Sequence, residues 1–296
     1  MRLYIGKQAV EPALGSVTLS KTRQQAAATL TATVLTAPAD TYFLHLTAAV
    51  GDPVRLLDDG GAEIFLGSIH QLDRTKDAFR LTAYDRGIYL TKNQISGFFT
   101  GTGEQIARKL AAKLGVPTGT IQSDSPWQAL RAGPGRTAFS LLRQAVGEKR
   151  EISMADGRLT VTKSGFIVWT VAPETVLSLS ASAGIGDMVN RCQVIRRNGV
   201  VAATAENSSD KQRYGQFQLV RARRDDRSQA LARSQLRGLS RTGRVTLLGN
   251  LGYRCGGAVE LHRPDWGLDG VYAVTAHEHR WSEGLFTTTL ELEWIR

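Results

Sequence analysis

The chain has 296 residues, 42% of them hydrophobic and 22% charged, and its 37 Lys and Arg against 27 Asp and Glu leave a net charge of +10. This is the composition of an ordinary soluble globular protein, long enough for two or three domains with cores of their own. It excludes a membrane-spanning helix, because no apolar run approaches the roughly eighteen residues a span needs, and a disulfide framework, because there are two cysteines, Cys192 and Cys255.

Residues 1–10 lack the basic-then-apolar layout of a signal peptide, so the default compartment is the cytoplasm. The first elements read as strands. Between Gly15 and Leu35, Thr29, Thr31 and Thr33 alternate with Leu30, Ala32 and Val34, a period of two. A strand over residues 51–56, a turn at Asp58-Asp59-Gly60-Gly61, a return strand over 63–69 and another over 79–84 follow, and this all-β part ends near Asn93. From Gly97 the period changes. Thr102 and Gln105 form a capping box ahead of a helix carrying Ile106, Leu110 and Leu114, which Gly115 and Pro117 stop. A second helix is predicted over 137–146 with Phe139, Leu142 and Val146 on one side. Asp156-Gly157 then signals a type I′ hairpin that sets Met154 against Leu159 and Ile152 against Val161. Strands over 190–197 and 200–205 precede a polar stretch, 207–215, that reads as an exposed loop. Asp225 and Asp226 open a predicted helix through Ser240 with Leu231, Leu236 and Leu239, and strands over 244–248 and 259–262 lead to the end of the chain.

The last stretch, 270–296, is a long hairpin. With a three-residue loop at Ser282-Glu283-Gly284, Ala276 faces Leu290, Val274 faces Leu292 and Tyr272 faces Trp294 on an apolar side. The other side carries His279 opposite Thr287, His277 opposite Thr289 and Ala273 opposite Glu293. Gly51-x-x-Val54-x-Leu56 with Phe65-x-Gly67-x-Ile69 has a faint counterpart in Gly257-x-Val259-x-Leu261 with Gly270-x-Tyr272-x-Val274. The expected fold is mainly β with an α+β insert: two related, tube-type β-barrel domains, 1–96 and 173–296, the second with one helix, flanking a small α+β domain at 97–172.

Few motifs ask for chemistry. His277-Glu278-His279 puts two imidazoles on one strand face, but their expected cross-strand neighbours are threonines, and an ion needs a third ligand. Gly101-x-Gly103 lacks the third glycine of a dinucleotide loop and reads as a hinge. Gly133-Pro134-Gly135-Arg136-Thr137 lacks the lysine of a phosphate loop and reads as a loop with Thr137 as a helix cap. No catalytic residues, cofactor or metal site are expected. The feature with content is an arginine cluster, Arg221, Arg223, Arg224, Arg227, Arg233, Arg237, Arg241 and Arg244, opposed by Asp225 and Asp226, a local balance of +6. Arginine without lysine suits forked contacts to carboxylates or phosphates; a solvated helix face is the alternative.

Several short runs resemble a known family. Gly51-Asp52-Pro53-Val54-Arg55-Leu56, Ile64-Phe65-Leu66-Gly67, and the run Ala83-Tyr84-Asp85-Arg86-Gly87-Ile88 through Asn93 are similar to the first barrel of baseplate hub proteins of contractile phage tails, of the PBSX-like, late control D (gpD-like) group. Gln105-Ile106-Ala107-Arg108-Lys109-Leu110, Leu141-Leu142, Asp156-Gly157-Arg158-Leu159, Asp187-Met188-Val189-Asn190-Arg191 and the closing hairpin with His279, Gly284 and Thr289-Leu290-Glu291-Leu292 extend the likeness over most of the chain. The resemblance implies a non-enzymatic virion part, assembled in the host cytoplasm and located in the tail baseplate. It implies a homotrimer whose two barrels per subunit imitate a six-membered ring, joining the tail tube or a tube-initiator protein to a central spike. Other baseplate proteins would bind at the rim, and tape-measure protein and DNA would pass through the channel. The arginine cluster is then expected to meet an acidic neighbouring protein, with no membrane partner. The rival readings are a basic nucleic-acid-binding module, whose affinity falls steeply with salt, and an enzyme with an acid/base pair in a cleft.

Overall fold

A computed structural model of the chain describes residues 1–295 except 38, 39, 41, 44, 148, 149, 164, 166 and 223–227. The amino-terminal strands are β1 (Arg2–Ile5), β2 (Gln8–Ala9), β3 (Leu14–Thr22), β4 (Thr29–Leu35), β5 (Pro53–Leu57), β6 (Glu63–Arg74) and β7 (Ala78–Asp85), followed by a short helix α1 (Gly87–Lys92). Next come β8 (Gly97–Gly101), α2 (Gly103–Lys113), β9 (Thr118–Ile121), β10 (Gln128–Ala132), α3 (Ala138–Val146), β11 (Arg150–Ala155) and β12 (Arg158–Lys163). The remainder is β13 (Val168–Thr170), β14 (Val176–Gly184), β15 (Arg191–Ile195), β16 (Val201–Glu206), α4 (Ser208–Tyr214), β17 (Gln218–Ala222), α5 (Ser228–Ser234), β18 (Ser240–Leu248), β19 (Ala258–Arg263), β20 (Leu268–Ser282) and β21 (Leu285–Trp294). The fold is mostly β. The chain forms two compact units: Met1–Leu179 with Arg244–Arg263 and Asp269–Arg296, and Ser180–Gly243 with Pro264–Leu268.

The first unit is built on a curled, half-barrel sheet in the order β14-β18-β21-β20-β3-β4-β7-β6-β5-β1-β2, with β19 on β20 and β13 on β19. The two β-rich ends of the chain meet in it where β3 pairs with β20. Strict alternation makes this possible. On β3, Val17, Leu19 and Lys21 are buried while Ser16, Thr18, Ser20 and Thr22 face the other way, and β4 repeats the pattern with Leu30, Ala32 and Val34 against Thr29, Thr31 and Thr33. The apolar side joins Leu3, Val54, Leu56, Phe79 and Leu81 in one core. On the hydroxyl side the register runs Thr287, Arg280, Thr18, Thr31, Thr82 straight across five strands, and beside it Thr289, Glu278, Ser20, Thr29, Tyr84. Both halves of the faint repeat are strands whose quoted apolar residues, Val54, Leu56, Phe65 and Ile69 and then Val259, Leu261, Tyr272 and Val274, are buried. Gly67 has a steric reason to be glycine, since a Cβ there would lie 2.3 Å from the Tyr84 carbonyl oxygen.

The closing hairpin corrects the expected register in its upper half. Glu283 and Gly284 adopt φ 52° and 76°, so the turn has two residues and Ser282 pairs with Leu285, His279 with Thr288 and His277 with Leu290. A β-bulge between Val274 and Ala276 absorbs the extra residue, and below it Val274 faces Leu292 and Tyr272 faces Trp294 as expected. The bulge turns both histidines from the polar face to the interior.

The helical part of this unit has a second core of Ile106, Leu110, Leu141, Leu142, Ile152 and Val161. Thr102 caps α2 with the reciprocal Gln105 bonds of a capping box, and the Thr137 side chain caps α3. The Asp156-Gly157 turn sets Met154 opposite Leu159 and Ile152 opposite Val161. The expected hinge at Gly103 is instead a tight joint: a Cβ there would meet Ser123 Oγ at 2.3 Å and the Ala145 carbonyl oxygen at 2.5 Å.

The second unit holds the small sheet β16-β15-β17, with α5 packed on it through Ala232 against Cys192, Val194 and Ala205. Two expectations are corrected here. The polar stretch 207–215 contains a helix, α4, because Asn207 accepts the Asp210 amide as its N-cap. The helix expected through Ser240 is described only over Ser228–Ser234; Leu236 packs on the same core from outside it, and Ser240 begins a strand.

Candidate functional site

One place collects polar side chains, a cleft in the first unit; most of the described arginines of the expected cluster lie in the second unit. The cleft has a volume of about 640 Å³. Its walls come from β3, the β11–β12 hairpin, the segment around Trp169 and Cys255, and the inward face of β20. Lys21 and Glu151, both buried, meet across it with Nζ 2.5 Å from Oε1, and the same ammonium donates to the Ile152 carbonyl at 2.8 Å. Arg23 Nε lies 4.0 Å from the other carboxylate oxygen. The pair fastens the barrel sheet to the hairpin of the helical part.

The chemistry of this cleft is that of a closed structural cluster. The Cys255 amide donates to His277 Nδ1 at 2.8 Å, which leaves the ring proton on Nε2, and the Cys255 thiol donates to the Thr275 carbonyl at 3.2 Å. Burial, reinforced by the Glu151 charge, pushes that thiol up to about 12, so it cannot supply the thiolate a nucleophile requires. His279 shares a 2.9 Å hydrogen bond with Thr288 Oγ1, and burial lowers its pKa to about 4. Burial also holds His277 well below the usual imidazole range, helped by His279, Lys21 and Arg254. Asp85 accepts the Ala28 and Gly87 amides and is still pushed up to about 6 by burial. Among the described residues no three His, Cys, Asp or Glu side chains are placed to hold an ion. Sequence reasoning missed Lys21, Glu151 and Asp85 because each reads alone as an ordinary surface charge.

The arginine cluster is partly described. Arg223, Arg224 and Arg227, with Asp225 and Asp226, lie outside the described residues. Arg221 on β17 donates through Nε to Gln235 at 3.3 Å, just beyond α5. Arg233 and Arg237 are exposed in the second unit, Arg241 is half-buried on β18, and Arg244 is exposed in the first. The sheet beneath is held by Asn190, which is fully buried, donates to the Gly215 carbonyl at 2.6 Å and accepts the Phe217 amide at 2.8 Å. Asn190→Ala leaves both backbone groups without these partners and is expected to cost about 2 kcal/mol. Thermal unfolding and proteolysis of the 207–217 segment test this, and an unchanged melting point would refute it.

A family model described as YQBQ-like matches residues 17–293. No curated protein sequence matches the chain. Among solved structures it is similar to the 43 kDa tail protein of prophage MuSo2 from Shewanella oneidensis, at 13% identity and TM-score 0.76, covering 98% of this chain and 96% of that one. It is also similar to the tail protein from Neisseria meningitidis MC58, at 14% identity and TM-score 0.71, covering 99% and 95%. A third relative is the E. coli c3393 protein, a component of the type VI secretion system with structural similarity to the T4 bacteriophage tail proteins gp27 and gp5, at 9% identity and TM-score 0.59, covering 99% and 76%. At such identities the likeness establishes a shared fold.

Proposed function

The chain belongs to the YQBQ-like family, and we propose that it is a non-enzymatic tail-hub protein of a contractile phage or phage-tail-like particle. The observation that carries this reading is end-to-end similarity of fold to two proteins described as tail proteins, one of them from a prophage. Similarity to a protein described as resembling gp27 and gp5 supports the finer statement that it belongs at the baseplate, as late control D hubs do, between tail tube and spike. In this reading three copies form a ring, the barrel-like parts 1–96 and 173–296 contributing its repeated units and 97–172 lying between them in sequence. The tail tube or tube initiator, the spike and other baseplate proteins are its partners, and the virion baseplate its location after assembly in the host cytoplasm. The inert thiol and the two histidines kept neutral by burial are consistent with a part that performs no catalysis.

The arginine surface is proposed to meet an acidic neighbouring protein. Light scattering on the purified protein should give a trimer, with each interface burying on the order of 2,000 Å²; a monomer at high concentration counts against it. Charge reversal at Arg233 and Arg237 should leave folding intact and impair assembly with baseplate partners, and normal particle assembly would refute this role. Duplex-DNA binding at physiological ionic strength, weakening steeply with salt, would favour a nucleic-acid-binding module instead.

A further inference from the structure

The helical part of the first unit carries an exposed aromatic face that the proposed function has not used. Among the described residues β8 and β10 pair only with each other, as a two-stranded ribbon laid on the core that α2 and α3 supply. Phe99, Leu130 and Ala132 belong to that core, so alternation turns Phe98, Thr100, Ala129 and Arg131 outward, with Phe98 opposite Arg131 and Thr100 opposite Ala129. Trp127, the residue before β10, continues the outward row. Phe98 and Trp127 are each 67% exposed, and after Tyr42 they are the most exposed aromatic side chains among the described residues. The outward positions of β3 and β4, from Ser16 to Thr22 and from Thr29 to Thr33, are serine or threonine throughout. On the ribbon the same kind of position carries phenylalanine and tryptophan.

The charges beside these rings have one sign. Lys109 on α2 donates to the Thr100 carbonyl at 2.8 Å, which sets its ammonium against β8, and the Lys113 ammonium stands 5.9 Å from the centre of the Phe99 ring. Arg131 lies on the outward face itself. All three are exposed, and none forms an ion pair among the described residues. The carboxylates of this part are already engaged, Glu104 by Arg108, Asp124 by Arg150 and Glu151 by Lys21. Tryptophan and arginine are the side chains that dominate protein interfaces, and aromatic anchors beside unpaired cations complement apolar side chains flanked by carboxylates. Each ribbon strand also has an edge without a neighbouring strand, the place where an extended chain adds by backbone hydrogen bonds. A single-stranded nucleic acid would use the rings and the cations but leave that backbone edge unused.

We infer that the outward face of the β8–β10 ribbon is a docking site for an extended acidic segment of another protein, its apolar side chains covering Phe98 and Trp127 and its carboxylates meeting Arg131, Lys109 and Lys113. The surface is separate from the arginine cluster, and the inference does not rest on the ring: a protein that stays monomeric yet binds as described below would refute the ring and leave this site standing. The purified full chain is titrated against a short fluorescein-labelled peptide that alternates glutamate with valine and tyrosine, and binding is read by anisotropy. The wild type should bind it, and the double variant Phe98→Ser, Trp127→Ser should bind it about tenfold or more weakly. Arg131→Glu should weaken binding as well, by a factor that shrinks as salt rises. All of these side chains are exposed, so the variants should keep the circular dichroism spectrum and melting temperature of the wild type. No binding to the wild type, or binding unchanged in both variants, overturns the site. A version of the peptide with lysine for glutamate that binds equally well shows an apolar patch without charge preference and overturns the acidic partner. Tighter binding of a single-stranded oligothymidylate, lost in the double variant, assigns the face to nucleic acid instead. An oligomer in the wild type that light scattering finds lost in the double variant assigns it to a second copy of this chain, which also overturns the inference.

Discussion

Lys21→Met is expected to destabilise the protein by about 3–5 kcal/mol, because it leaves the Glu151 carboxylate buried without its ammonium. Glu151 is 4% exposed, and its remaining cation, Arg23, stands at 4.0 Å with no hydrogen bond to it, so little of the lost attraction is recovered. Methionine keeps the length of the lysine stem, and the cost therefore reports the charge rather than a cavity. The double variant Lys21→Met, Glu151→Leu removes the stranded charge along with its partner. It should regain most of the loss, since a buried pair replaced as a whole by apolar groups is often neutral or better. Denaturant unfolding followed by tryptophan fluorescence reads both, with Trp169 in the wall of the same cleft. Equal destabilisation in single and double variants would show that packing, not the ion pair, joins the sheet to the hairpin.

Mild acid is expected to weaken the same region. His279 has a folded pKa of about 4 against an ordinary 6.5, so between those values the unfolded chain takes up a proton that the folded protein refuses. By linkage this removes about 3 kcal/mol as the pH falls from 6.5 to 4. His277, also held well below the usual imidazole range by burial, adds to the loss in the same direction. Asp85 opposes them. Its folded pKa of about 6 exceeds the ordinary 3.8, so acidification through that window lets the folded protein bind a proton first and restores about 3 kcal/mol. One carboxyl therefore offsets roughly one histidine, and the second leaves a net loss. Melting temperature should fall between pH 6.5 and 4, fall more steeply in Asp85→Asn, and rise in the double variant His277→Gln, His279→Gln, where Asp85 is left unopposed. A flat wild-type profile over that range would sink the idea that the bulge buries both rings neutral.

The caps and local turns of the helical part were legible in the sequence because each depends on a few adjacent residues. Thr102 with Gln105, Thr137 before α3, and Asp156-Gly157 carry their geometry in their own backbone preferences and short hydrogen bonds. The alternation of β3 and β4 was legible for the same reason, since a two-residue period says which side chains share a face without saying what that face meets. The closing hairpin marks the boundary. Its lower half followed from matching apolar residues, but a single-residue change in turn length together with the bulge after Val274 moved His277 and His279 from solvent to the interior. Composition cannot announce a bulge, because the choice depends on which strand lies on the far side, here β3.

What the sequence determined by itself was therefore local: which stretches become strands or helices, where they stop, and which face of each is apolar. The tertiary structure alone decided the partners, and with them the candidate sites. Lys21 and Glu151 are 130 positions apart, Cys255 meets His277 through the fold of a loop onto β20, and the threonines of β4 line up with those of β3, β7 and β21 only after both ends of the chain have joined one sheet. Local preference fixes a residue's conformation through neighbours a few bonds away. The desolvation that turns a surface charge into a buried strut, or an imidazole into a neutral ring, comes from groups that reach it only through the packed core.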